Sequence, residues 1–351
     1  MDSLNIQAAL FSLLRSGLWG RTDFDPSVSL LTDDAWKRVF AEAMRQTVTG
    51  LVFGGICRLP DDCMPREELL AKWTAAIERI ERNNKRMNDT LATVCRALNK
   101  ENLSPVLLKG QGIARLYNSP LLRECGDIDL YFPDVTDWEK AVNIIGKGFR
   151  IEKASDGSAV CNRNGVIIEI HKTMFDMQSS LHGKLLRLMA QREGFQHTPL
   201  FDRQGINILT PSSASNLILL SLHILRHALC FGIGLRQLCD YAVTYNYVAN
   251  YDPAALNRVN DMMKSLGLRR WHLMLESFID NYLGVRIDNV ANINCNPLLS
   301  VISHGGNFGF HAQDNNRSFE TVVYNNCKLF HVAPMQALVT LSYLFARRLK
   351  G

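Results

Sequence analysis

The chain has no Cys-x-x-Cys pair, no block of five or six like charges, no internal repeat and no low-complexity tract. Its nine cysteines are an odd number scattered from Cys57 to Cys327, which excludes a zinc ribbon or a disulfide framework and fits reduced thiols in a cytoplasmic protein. The first residues lack a basic segment ahead of their apolar part and read as an amphipathic helix, so no signal peptide is expected. Long apolar runs are missing too. Leu217–Gly234 is interrupted by His223, Arg226 and His227, and Val332–Ala346 falls short of the roughly 20 apolar residues that a membrane span needs. The second run ends in Arg347, Arg348 and Lys350, which suits a core helix with a basic last turn better than a membrane-surface helix.

What is present is an ordinary globular composition: 351 residues, 47% hydrophobic and 21% charged. That length suggests two domains, or one large domain with an appendage, and enough core to fold without disulfides or structural metal. Lys and Arg number 39 against 34 Asp and Glu, a net charge of +5. This mild excess suits a nucleotide, and no stable nucleic-acid partner is expected from it. The densest basic stretch, Arg79–Arg86, has Glu78 and Glu81 alongside and reads as a solvated helix face.

Helical spacing dominates the first hundred residues, with a helix after Asp33 and Asp34 and a long one opening near Pro65, Glu67 and Glu68. From Pro105 to His171 the pattern changes to short β-type runs separated by Gly, Asn, Asp and Pro. Val135–Gly148 carries Val135, Trp138, Val142 and Ile145 at helical spacing and predicts a helix crossing the sheet. Helical periodicity returns after about residue 178, broken by extended pieces at Phe195–Leu200 and Ile206–Pro211, and residues 285–331 read as loops. The organisation is therefore an N-terminal helical region over 1–100, an α/β core over 101–210 and a C-terminal helical domain over 211–351.

The informative segment is Leu107–Pro133. Alternation along a strand puts Asp127 and Asp129 on one face and Ile128 and Leu130 on the other. Two carboxylates so placed repel each other unless a cation intervenes, and hard oxygen ligands suit Mg²⁺ or Mn²⁺. In Val166–His171 the arrangement recurs, with Glu169 and His171 opposite Ile168 and Ile170. If the two strands are neighbours, three carboxylates and an imidazole converge, a sufficient set for two-metal phosphoryl transfer. Upstream, Lys109, Gly110 and Gly112 form a turn whose bare backbone can approach a phosphate.

These residues resemble the nucleotidyltransferase superfamily of the DNA polymerase beta type. More closely, Leu108-Lys109-Gly110, Arg123, Gly126-Asp127-Ile128-Asp129-Leu130 and Glu169-Ile170-His171 are similar to the bacterial group of uncharacterised nucleotidyltransferases. His223 and His227, Gly234-Leu235-Arg236 and Asp240 extend the likeness over roughly residues 90–250. The resemblance implies an α+β fold: a small mixed β-sheet core with helices on one side, and helical regions before and after it. It implies Mg²⁺ or Mn²⁺ on Asp127, Asp129 and Glu169, an NTP held at Lys109, Gly110, Gln111 and Arg123, and transfer of a nucleoside monophosphate with release of pyrophosphate. The acceptor would be a small hydroxylated molecule or a protein side chain. The chain departs from the superfamily in carrying Gly110-Gln111 where Gly-Ser or Gly-Gly is usual, and in the 16 residues between Gly110 and Asp127.

The remaining residues have plainer readings beside the functional ones. His171 fits a ligand, a group orienting a ligand, or a core histidine. His223 and His227 share a helix face and read as an interior pair or a wall of the acceptor pocket, and Arg236 and Asp240 as an ion pair at helical spacing. Two rival functions stand beside the transferase: a catalytically degenerate module that binds nucleotide or a partner, and a metallohydrolase using the same carboxylates and histidines with a transition metal.

Overall fold

The computed structural model describes residues 3–154, 157–175, 180–199, 207–307 and 318–348. They form two compact units, one made of Met1–Glu78 and Leu220–Gly351, the other of Arg79–Leu219. Two long helices, α4 (Glu67–Lys100) and α8 (Ser213–Leu229), contain the divisions.

The Arg79–Leu219 unit is built on a seven-stranded mixed sheet. Its strands are β1 (Val106–Leu108), β2 (Asp127–Tyr131), β3 (Ile151–Lys153), β4 (Ala159–Arg163), β5 (Val166–His171), β6 (Phe195–Pro199) and β7 (Asn207–Pro211), in the order β3-β4-β5-β2-β1-β7-β6. The central pair, β2 and β5, is parallel, so a crossover must join them. That crossover includes α6 (Val135–Ile145), which Asp134 caps by accepting from the Thr136 and Asp137 amides. Between β4 and β5, Asn164 and Gly165 both have positive φ, as the tightest hairpin turns require.

Alternation decides which face of this sheet is dry. Ile128 and Leu130 of β2 and Ile168 and Ile170 of β5 are buried with Met87, Leu91 and Leu98 of α4 and Trp138, Ala141 and Ile145 of α6. Each of the buried Ile, Leu and Met side chains stabilises the unit by about 1.5–3 kcal/mol. The Trp138 indole also donates to the Ile170 carbonyl at 2.9 Å, fixing α6 to β5. The opposite face of the same two strands carries the carboxylates.

The other unit is helical: α1 (Ser3–Trp19), α2 (Asp33–Arg45), α3 (Thr49–Ile56), α9 (Leu235–Tyr251), α10 (Pro253–Ser265), α11 (Arg269–Leu283), α12 (Asn296–Gly305), α13 (Phe319–Leu329) and α14 (Pro334–Arg348), with the adjoining parts of α4 and α8. Two expectations are corrected here. Residues 285–331, read as loops, contain α12 and α13, while 308–317 lie outside the described residues. The Asn-rich composition misled because Asn325 and Asn326 are buried and donate to the Cys230 and Leu229 carbonyls, with Leu298, Val301 and Ile302 supplying a buried helical stripe. The apolar run Val332–Ala346 is not a fully buried core helix. Val332, Ala333 and Ala337 are buried, whereas Met335, Leu338, Tyr343 and Phe345 are at least half exposed. Apolar residues surround this helix on more faces than one contact can cover. Among the described residues no helix is long and apolar enough to cross a membrane.

Candidate active site

The pairing of β2 with β5 sets the site. In register Asp129 lies beside Glu169, and Asp127 beside Ile167. Because Ile128, Leu130, Ile168 and Ile170 are drawn into the core, Asp127, Asp129, Glu169 and His171 fall on the other face. One ligand atom each from Asp129, Glu169 and His171 lies within 4.8 Å of the others, the one such group found among the described residues. His171 Nε2 is 2.9 Å from Asp129 Oδ1 and 3.5 Å from Glu169 Oε2. Asp127 shares the face but lies outside this group of three.

Lys109 completes the cluster, its Nζ standing 3.3 Å from Asp129 Oδ2. The lysine follows β1, whose antiparallel register sets Leu108 against Asp129. Its backbone has φ +51°, and Gly110 follows at φ +46°. Such a conformation at a lysine costs on the order of 1–3 kcal/mol and persists where the surroundings impose it. A glycine suits the second position, where a Cβ would stand 3.5 Å from the Asp127 carbonyl oxygen, so the turn lies against the carboxylate strand.

Charge and burial then pull the four titrating groups apart. Burial alone would push Asp129 up, but the Lys109 ammonium and His171 outweigh it and hold the carboxyl down at about 2. Glu169 moves the other way, raised by burial and by the neighbouring charges of Asp129 and Asp127. Lys109 is raised, because Asp129 and Asp127 overcome the desolvation that would lower it. His171 is also raised, its burial outweighed by the bond to Asp129. One ionised carboxylate beside one that readily takes a proton is the arrangement expected of a group that holds a cation next to a group that accepts a proton.

The other expected residues fall in three places. Arg123 is buried before β2, donating to Cys125 Sγ at 2.9 Å, and its carbonyl accepts from Asn84 Nδ2 at 2.8 Å. Gln111 is buried in α5 (Gly110–Ala114), lining a small cavity with Asn88 and Thr198, and neither amide atom meets a hydrogen-bond partner among the described residues. His223, His227, Arg236 and Asp240 belong to the helical unit. There the two imidazoles stack edge to face at 4.5 Å, Asp240 is buried in α9, and the Arg236 amide donates to the Gln46 carbonyl. Spacing alone assigned Lys109 to a phosphate and missed its contact with Asp129, which depends on the antiparallel register of β1 and β2.

No curated protein and no solved structure matches the chain. The profile of the uncharacterised nucleotidyltransferases matches residues 32–283, which takes in the whole carboxylate cluster, the Lys109 turn and the two stacked histidines. Over so large a share of its length, the chain belongs to the uncharacterised nucleotidyltransferase family.

Proposed function

We propose that the protein is a divalent-metal-dependent nucleotidyltransferase that moves a nucleoside monophosphate from an NTP to an acceptor and releases pyrophosphate. The observation that carries this reading is the convergence of Asp129, Glu169 and His171 beside Lys109. The donor set fits Mg²⁺ or Mn²⁺: carboxylate oxygens on adjacent strands, one held ionised, with an imidazole in reach. Asp127, Asp129 and Glu169 would hold the metal, which when bound supplies positive charge to the reacting phosphate.

The chain's own groups supply the rest. Lys109 and the Gly110 turn present an ammonium and an open backbone to phosphate oxygens. His171 keeps Asp129 oriented through the 2.9 Å contact. The Glu169 carboxylate takes the proton of the acceptor as the acceptor oxygen bonds to the α-phosphorus and the bond to the pyrophosphate oxygen breaks. A hydroxyl on a small molecule or on a protein side chain meets these requirements.

The test is pyrophosphate release from each NTP with Mg²⁺ across a panel of hydroxylated acceptors. Release above background that disappears in Asp129→Asn supports the reading. Hydrolysis of a substrate by metal-loaded protein, with no transfer from any NTP, would favour a hydrolase instead.

A further inference from the structure

A cavity of about 590 Å³ lies in the α/β unit, lined in part by Arg79, Arg82, Asn83, Arg86, Glu124 and Cys125. The four α4 residues recur at i, i+3, i+4 and i+7, the spacing of one helix face. Glu81, which makes this stretch look balanced in sequence, is not part of the lining and pairs with Lys85 at 3.6 Å. The lining holds three guanidiniums and one carboxylate, Glu124.

The groove is a built one. Asn83 Nδ2 donates to the Cys125 carbonyl at 3.3 Å, and Asn84 Nδ2 donates to the Leu121 and Arg123 carbonyls, so the far wall is tied to the helix. Arg86 donates to Asn83 Oδ1 at 2.7 Å, which orients its guanidinium. The groove also adjoins the end of the sheet where the carboxylate strands begin. Arg86 reaches to the Gly165 turn at the start of β5, a Cβ there standing 3.3 Å from its Nη1. Cys125 is separated from Asp127 by Gly126 alone, an exposed residue where a Cβ would meet nothing within 4 Å.

We propose that this groove binds the phosphate groups of a substrate, as a second anion site beside the carboxylate cluster. Resting on the transferase reading, this assigns a phosphate-bearing substrate to the α4 side of the sheet end. Planar guanidiniums match phosphate oxygens in bidentate pairs, and a cavity of this size admits a small phosphorylated molecule. The phosphates belong either to the NTP or to a phosphorylated acceptor, and the experiment separates the two.

Inorganic tripolyphosphate is titrated in EDTA into the wild type, the Arg79→Gln/Arg82→Gln/Arg86→Gln variant and the Asp127→Asn/Asp129→Asn variant. All three arginines are exposed, so the triple variant is expected to unfold at the wild-type temperature. The expected result is binding by the wild type and the Asn variant, weakened at least tenfold in the arginine variant. Binding by the Asn variant keeps this outcome independent of the metal site. No tripolyphosphate binding, or equal binding by the arginine variant, overturns the proposal. In a second arm, NTP with Mg²⁺ is titrated into the wild type and the arginine variant. A tenfold loss of NTP affinity assigns the groove to the triphosphate, and unchanged NTP affinity alongside lost tripolyphosphate binding assigns it to a phosphorylated acceptor.

Discussion

Each unit holds a histidine beside a carboxylate, and the two clusters are opposites. In the helical unit, His272 lies 3.1 Å from the Tyr241 hydroxyl and 3.4 Å from Glu276, which accepts from the Tyr245 hydroxyl at 3.1 Å. All four side chains are buried, and burial holds both tyrosine hydroxyls protonated by raising their pKa. The one carboxylate is matched by an imidazole and the Tyr245 hydroxyl, and the imidazole by the Tyr241 hydroxyl, so the network closes on itself. In the α/β unit, two carboxylates on adjacent strands share one face with a third, against one lysine and one histidine, and Glu169 and His171 are partly open to solvent. The lesson is that residue type does not separate a scaffold from a site. Surplus charge and access do.

The comparison breaks if the wrong cluster proves functional. Asp129→Asn is expected to cut nucleotidyl transfer by at least about 100-fold, the scale of losing a group that stabilises charge at the reacting centre. Transfer at wild-type rates would place the chemistry elsewhere. Glu276→Ala is expected to cost about 1–3 kcal/mol of stability, since it leaves the buried Tyr245 hydroxyl without its acceptor and His272 with Tyr241 alone. Its folded form should still bind NTP with Mg²⁺ as the wild type does, and selective loss of that binding in a folded variant would make the helical cluster part of the site. Ile168→Ala, beneath Glu169, is expected to cost about 2–4 kcal/mol by urea unfolding.

Two smaller effects sharpen the picture. Because the His171 pKa is raised in the folded chain, its stabilising contribution is complete below the unfolded value of about 6.5 and is lost as pH rises through the folded value. Lowering the pH from 8 to 6 without metal should therefore raise the unfolding midpoint of the wild type relative to Asp129→Asn. A gap that narrows instead would mean that His171 gains nothing from Asp129. Gln111→Met replaces a buried amide whose atoms find no partner among the described residues, and is expected to stabilise the protein by about 1 kcal/mol with NTP affinity unchanged. A fall in NTP affinity would assign the amide to the substrate.

Local patterns carried much of this into view before any coordinates. The alternation of Asp127, Ile128, Asp129 and Leu130 fixed which face is polar, and the short β-type runs between Pro105 and His171 located β1 to β5. The long helix expected after Pro65 is α4, which begins two residues later at Glu67. What stayed hidden depends on register and on neighbours distant in sequence. No spacing rule turns Lys109 onto Asp129, because that contact arises from the pairing of β1 with β2. The arginine face of α4 was hidden by averaging, since Glu78 and Glu81 balance the charge along the chain and only helical geometry gathers Arg79, Arg82 and Arg86. Helices α12 and α13 were masked by asparagines that cap distant carbonyls instead of making turns.

The central claim is that the Asp127, Asp129 and Glu169 face holds the metal that holds the nucleotide. Isothermal titration of the four NTPs, with and without Mg²⁺, into the wild type and the Asp127→Asn/Asp129→Asn variant tests it most directly. The account expects Mg²⁺ to tighten the binding of at least one NTP at least tenfold and the variant to lose that gain. NTP affinity that Mg²⁺ leaves unchanged in the wild type, or a Mg²⁺ gain that survives both substitutions, would contradict it.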